Sequence, residues 1–573
     1  MTTSKLFTTI RHGMLVLFTF LLTAGLATSQ PQAPRKHSID FDNLPKNQKV
    51  DVIVRFKGSL DSNKLNLLRQ RGGSDKRQIG RFRTAAFRSL PVAAVEALAK
   101  NPNIEYIIPD RKVRMSLDYA TTGIAADLAW NSNWNGAGVG VAVIDSGIAD
   151  HEDLRNTAGT ASRVVYHENF SGSGGLADIH GHGTHVAGII GANGNTSKNS
   201  KKWVRGVAPA VNLIDLHVLG IDGTTDESAI LAAIDRAIEL KSTYNIRVLN
   251  MSVGRPIFES YSIDPLCVAV KEAWDAGIVV VVAAGNLGRD NSFGNQGYAT
   301  ITSPGNSPYV ITVGALNTKS TTTRSDDVIA TYSSKGPSAI DHFLKPDVVA
   351  PGNRILSLKA SDTMTLATEF PGNIVPQTEF NDNGNGNSKY FRLSGTSMAT
   401  PVVSGAAALL LQKFPTLTPD QVKARLMKTS RKDFAPTMSV TDPVTGQTFT
   451  SNHDIFTVGA GYIDVNAALN DTGLSSASSG SALSPQVVSN SITGETSIVM
   501  GTNVIWGTNV IWGTNVIWGT NVIWGTNVIW GTNVIWGTSS GASGYNVIWG
   551  TSAESASNLT SAMSNRFIGG GEN

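Results

Sequence analysis

At 573 residues the chain exceeds one ordinary domain, so two to four units are expected, and 41% hydrophobic with 16% charged residues is close to the globular average. A single cysteine, Cys267, excludes an intramolecular disulfide framework and, set in the apolar stretch 265–270, reads as a small core residue. The net charge of +3 hides a division: residues 31–115 carry 18 Lys+Arg against 8 Asp+Glu, net +10, and residues 116–573 carry 27 against 36, net −9.

Lys5 and Arg11 precede the apolar run 14–22 and the small residues of 24–27, the pattern of a secretory signal over 1–27. That run is shorter than the ~20 residues that span a bilayer, and no later stretch qualifies. A secreted chain with no transmembrane segment after signal removal is therefore expected. Residues 45–115 form a unit of their own. Stretches 50–56, 82–90 and 104–108 read as strands, and 60–71 and 92–100 as helices, which makes a small α+β fold.

From 119 to 470 the pattern changes to apolar strands at 139–144, 211–219, 248–251, 278–284 and 309–313, alternating with helices at 183–190, 228–241 and 266–276. Continuous apolar strands separated by helices predict an α/β domain whose mainly parallel sheet is buried on both faces. The Ala/Gly/Leu-rich run 400–414 reads as a central buried helix. A Ser/Gly-rich linker follows over 473–500, and the tail 501–550 repeats Gly-Thr-Asn-Val-Ile-Trp six times, with a seventh Asn-Val-Ile-Trp at 546–549. Seven of the eleven tryptophans lie in this tail, which argues against a random linker. An even period keeps Thr, Val and Trp on one face of an extended strand, so stacked short strands are the favoured expectation there, with a weakly ordered low-complexity segment made by repeat expansion as the alternative.

Three segments place reactive groups at strand ends or helix starts, where open parallel sheets form their sites. Asp145 follows Val-Ala-Val-Ile, an awkward place for a carboxylate unless it serves a site. The second segment is His180-Gly-His182-Gly-Thr-His185. Its spacing alone admits a rival reading, a zinc hydrolase holding its metal with those three histidines, although no acidic partner lies within the motif. The third is Ser-Gly-Thr-Ser397-Met-Ala-Thr-Pro at the start of the central helix, where a serine can equally be an ordinary cap. His151, His167, His217 and His453 have no motif around them.

Asp, then His, then Ser in that chain order is the arrangement of one known triad of acyl-transfer enzymes. The segments around Asp145, His182 and Ser397 resemble those of the subtilisin-like serine proteases. The likeness continues through Leu-Asn-Met-Ser-Val-Gly254, Val-Ala-Ala-Gly-Asn286 and Gly-Ala-Gly-Tyr-Ile-Asp-Val465, and so spans 119–470. It implies a three-layer subtilisin-like fold and a secreted serine endopeptidase, made as a self-processing zymogen. Asp145, His182 and Ser397 would be its triad and Asn286 its oxyanion-hole donor. Ser252, Val253 and Gly254 would form one substrate-binding edge, with Gly220 and Gly223 in the other, taking extended polypeptide with little sequence demand. No cofactor is required for catalysis. Structural calcium is common in the family, and Asp153 matches one of its ligand positions; the loop 192–205 that would supply the rest has no carboxylate. Residues 45–115 resemble the family's inhibitory propeptide, a ferredoxin-like α+β unit. The charge division then makes the basic unit a partner of its own acidic remainder, with no nucleic acid involved, and the mature protein a monomer. The remaining rival is a non-catalytic surface protein acting through its repeat tail.

Overall fold

The computed structural model describes residues 36–499 apart from short internal stretches, of which 116–122, 381–387, 472–481 and 490–495 are the longest. The expected signal (1–27) and the repeat tail (501–550) lie outside the described residues.

The N-terminal unit is an antiparallel sheet in the order Ser74–Ile79, Thr84–Pro91, Lys49–Phe56, Ile104–Pro109, crossed by helices Ser62–Arg69 and Val92–Ala99. Strand alternation divides the central strand between two cores. Val52, Val54 and Phe56 face Leu65, Leu68, Val95 and Leu98 in a core private to the unit. Ile53, on the opposite face, joins Ile79, Phe82, Ala86 and Ile108 in the core of the larger domain. Ser74–Ile79 is missing from the expected elements because Ser-Asp-Lys-Arg-Gln-Ile buries little beyond Ile79. The unit also begins before residue 45. Phe41 is buried in its core, the backbone of His37 bridges Ile107, and Ser38 Oγ donates to Glu259 Oε1 at 2.6 Å.

The larger domain is a three-layer α/β fold. Seven parallel strands run in the order Val164–Asn169, Asn212–His217, Gly140–Asp145, Ile246–Met251, Val279–Ala283, Ile311–Asn317, Val348–Pro351, and a short strand, Val328–Ile329, pairs antiparallel with Ile311–Asn317. Val279–Ala283, four valines and an alanine, is buried throughout, as a strand covered on both faces has to be. Helices His182–Gly191 and Thr396–Lys413 pack together over one face, and Glu227–Glu239 and Pro265–Asp275 over the other. Thr396–Lys413 is buried from Thr396 to Leu411, which fits a helix apolar on all sides. It starts four residues before the expected 400, so Ser397 lies inside its first turn. The outer strands Val164–Asn169 and Val348–Pro351 are not among the expected elements, the first because its second half, His-Glu-Asn, is polar and only Val164 is buried, the second because it is only four residues long. Cys267 is buried, as expected, and burial pushes its thiol well above the usual range.

Part of the expected linker is structural. Ala482 and Val487 lie in the main core, Ser484 Oγ donates to the buried Asp347 at 2.6 Å, and the Leu344 amide donates to the Pro485 carbonyl at 2.8 Å. Residues 482–487 are thus a strap of the α/β domain.

Candidate active site

Asp145 closes its strand and His182 opens its helix, and the two meet at 2.5 Å between Oδ1 and Nδ1, both side chains fully buried. Gly183 explains how they come so close: a Cβ there would lie 2.2 Å from the Gly147 carbonyl and 3.1 Å from Asp145 Cβ. Among the described residues His182 Nε2 has no hydrogen-bond partner. Ser397 Oγ, one percent exposed as a residue, donates to the Ser252 carbonyl at 3.3 Å. Gly395, at φ +151°, makes the turn that delivers this serine.

Helix chemistry ties Ser252 to Ser397 a second time. Pro401 has no N–H to give to the carbonyl four residues back, which is that of Ser397. Ser252 Oγ donates to that carbonyl instead, at 2.8 Å. Asn286 follows Val279–Ala283, and its Oδ1 accepts from the Thr396 amide at 2.9 Å and Thr396 Oγ1 at 3.0 Å. With Oδ1 so engaged, the donor end of the amide, Nδ2, is turned away from Thr396.

The three histidines of the second segment do not converge. The His180 and His182 rings are 6.4 Å apart, and His185 Nε2 lies 3.2 Å from the Phe391 carbonyl. Burial holds His180 and His185 neutral, each lowered to about 3, with the neighbouring His182 adding to the effect. Among the described residues no group of three or more His, Cys, Asp or Glu is placed to hold a metal ion.

Asp178 belongs to the site although no motif marks it. Its Oδ1 accepts from Ser146 Oγ at 2.8 Å and the Gly181 amide at 2.7 Å, and its Oδ2 from the Thr184 amide and hydroxyl at 2.8 and 2.6 Å. Ser146 Oγ in turn accepts from the Gly183 amide at 2.9 Å. The carboxylate therefore staples the end of the Asp145 strand to the first turn of the His182 helix. Burial raises it to about 6 against those hydrogen bonds. Its position four residues before His182 was the available signal.

Asp153 does not fit calcium. Its carboxylate accepts from the Thr196 amide and hydroxyl at 2.7 and 2.9 Å and from Tyr390 Oη at 2.8 Å, and all three are donors where a hard cation needs oxygen acceptors. The buried Arg163 guanidinium donates to the Asp153 carbonyl at 2.9 Å and to those of Gly191, Val211 and Arg155, so the protein supplies its own cation beside that loop.

Val253–Gly254 and Thr224–Asp226 flank a third strand, Lys112–Met115, and pair antiparallel with it on either side. Gly220 and Gly223 form the turn that leads into Thr224–Asp226, where the Gly220 amide donates to the Thr224 carbonyl at 2.8 Å. The second edge is thus made by the residues after those glycines. Across the contact with the N-terminal unit, Asp110 Oδ1 accepts from the Ser228 amide at 3.0 Å, Lys76 pairs with Asp226, and Arg81 Nε meets Asp235 at 2.6 Å.

A model of the subtilase family matches residues 136–461. The serine protease AprX of Bacillus subtilis is 34% identical over 406 residues, covering 68% of this chain and 85% of its own length. Subtilisin E of the same organism is 32% identical over 426 residues, covering 73% and 92%. Among solved structures, fervidolysin from Fervidobacterium pennivorans, described as a keratinolytic enzyme related to subtilisin, matches with a TM-score of 0.55 at 20% identity; the match covers 78% of this chain and 65% of that one, and shows the fold. With a buried Asp–His pair beside a helix-borne serine in an α/β body of this topology, the chain belongs to the subtilase family of serine proteases.

Proposed function

We propose that the chain is a secreted serine endopeptidase that processes itself, with Asp145, His182 and Ser397 as its triad. The observation that carries the reading is the strand Lys112–Met115, a stretch of the chain's own backbone held in extended form between two edges. Met115 pairs with Val253, one residue from Ser252, whose carbonyl accepts the Ser397 hydroxyl. The next peptide bonds therefore lead to the nucleophile, and a bond near residue 116 is the one cut in maturation.

In the reaction Ser397 Oγ leaves the Ser252 carbonyl for His182 Nε2, which takes its proton as the oxygen attacks the scissile carbonyl and later gives it to the leaving amine. Asp145 accepts from Nδ1–H, which fixes the tautomer with a bare Nε2 and stabilises the imidazolium. Asn286 Nδ2 and the Ser397 amide stabilise the oxyanion; in subtilisin, losing the corresponding asparagine costs ~10²–10³ in turnover. Residues 36–115 act as the inhibitory propeptide, docked by cations on the acidic remainder.

The test is labelling of the secreted protein with a serine-reactive fluorophosphonate, beside a Ser397→Ala variant. Labelling that the substitution abolishes, with an uncleaved precursor in the variant, is expected. Hydrolysis that is chelator-sensitive and unlabelled, or a Ser397→Ala protein still cut near residue 116, would refute it.

A further inference from the structure

A buried guanidinium joins three segments that meet at the C-terminal end of the His182 helix. Arg163, the residue before Val164–Asn169, is 8% exposed, and among the described residues its hydrogen bonds all go to backbone carbonyls. Nε donates to Arg155 at 3.0 Å, Nη1 to Val211 at 3.1 Å, and Nη2 to Asp153 at 2.9 Å and to Gly191 at 2.6 Å. These oxygens belong to the turn around 152–155, to the last residue of His182–Gly191 and to the residue before Asn212–His217.

A planar guanidinium ordinarily finds a carboxylate or a phosphate, whereas converging carbonyls are what a hard metal ion collects. The backbone is shaped to let the larger group in: a Cβ on Gly191 would lie 2.9 Å from Val211 Cγ2 and 3.5 Å from Arg163 Nη1. Gly191 also closes its helix, where unpaired carbonyls and the negative end of the dipole favour a positive charge. Burial lowers Arg163 to about 10, opposed by the Asp153 carboxylate, so the group is a cation at neutral pH. Loop 192–205 is tied to the same oxygens, since the Asn193 amide donates to the Asp153 carbonyl at 2.8 Å and its Nδ2 to the Arg155 carbonyl at 2.7 Å.

We propose that Arg163 is a cation site filled from within. Its guanidinium takes the place that a bound metal ion would have at this loop, so the His182 helix and the loop 192–205 keep their shape in the presence of a chelator. Taking the side chain away leaves an empty site of carbonyl oxygens that a free guanidinium ion enters. The inference rests on this geometry, whatever bond the enzyme cuts.

The test follows the thermal unfolding midpoint of the full chain carrying Ser397→Ala, which prevents self-digestion. Excess calcium and excess EDTA should give the same midpoint, whereas a calcium ion present at about a hundred times its Kd would raise it by roughly 4 °C in a domain of this size. Arg163→Ala should lower the midpoint by roughly 3–8 °C, since the Gly191 and Val211 carbonyls lose a buried donor. Guanidinium ion at millimolar concentration should recover most of that loss, and sodium chloride at equal ionic strength should not. Arg163→Lys keeps the charge and Arg163→Gln keeps donors without it; the lysine variant should be the more stable, and this pair decides where the alanine variant does not fold. A calcium-induced rise that Asp153→Asn abolishes, an alanine loss that guanidinium does not recover, or a glutamine variant as stable as the lysine variant would each overturn the assignment.

Discussion

Replacing Ser484 by alanine should destabilise the α/β domain by roughly 2–6 kcal/mol, although it lies outside the family match and in a segment whose composition suggests a linker. Asp347 is fully buried between Lys345 and Lys423, with Nζ to carboxylate distances of 2.8 and 3.0 Å. Ser484 Oγ bridges two members of this cluster, donating to Asp347 Oδ1 at 2.6 Å and accepting from Lys423 Nζ at 3.0 Å. Removing one hydroxyl leaves two buried charged groups short of a partner, at about 1–3 kcal/mol each, while the backbone stays ordered, so no entropy is returned. The parent protein should carry Ser397→Ala to prevent self-digestion and end after Ser489. The measurement is the urea midpoint of its circular dichroism transition. Truncation after Asp471 should cost at least as much as Ser484→Ala, because it also removes the Ala482 amide from Asp420 Oδ1 and the Pro485 carbonyl from the Leu344 amide. A Ser484→Ala protein within about 0.5 kcal/mol of its parent, at equal denaturant slope, would show that the hydroxyl bridges nothing of consequence.

Asp178→Asn places an amide among four donors, and kcat/KM should fall by about 10–10²-fold with little change in KM, since one or two lost buried hydrogen bonds are ~1–3 kcal/mol; a loss under twofold would remove Asp178 from the site. Inhibition of the mature enzyme by added residues 36–115 should weaken with salt, because Lys76–Asp226 and Arg81–Asp235 join a unit of net +10 over 31–115 to a remainder of net −9. An inhibition constant that moves less than about twofold between low and high salt would defeat that account. Lys432 is half-buried, donates to the Met427 and Ala460 carbonyls, and is lowered by desolvation from 10.5 to about 7. Between those two values the unfolded chain holds the proton that the native state lacks. Stability should therefore rise with pH from about 7 toward 10, at up to ~1.4 kcal/mol per pH unit from this group. Lys432→Met should flatten that rise in the Ser397→Ala background, and equal slopes in the two proteins would refute the assignment.

The parts of the fold legible in the sequence are those whose own residues decide their structure. Val279–Ala283 reads as a strand because four consecutive valines fit a doubly covered sheet, and the breadth of Thr396–Lys413's apolar surface marks it as central. Ser74–Ile79 could not be read this way, since its strand state is imposed by pairing with Thr84–Pro91 and its polar side chains serve the neighbouring domain. The strap 482–487 misled for the opposite reason. Alanine and serine are what a linker uses, and they are also what fits against a packed core where Ser484 meets Asp347.

The site divides along the same line. Asp145, His182, Ser397 and Asn286 stand in motifs, and those motifs are enough to propose them. Asp178 has no motif, because what makes it matter is a neighbour remote in sequence, Ser146, whose hydroxyl it accepts from. Chemistry shared across a family tends to be written in contiguous segments, because the strand end or helix start that presents the group is itself local. The support of that chemistry arises where separate segments meet, as where Asp178 joins the end of the Asp145 strand to the first turn of the His182 helix, a meeting that no single stretch of sequence records.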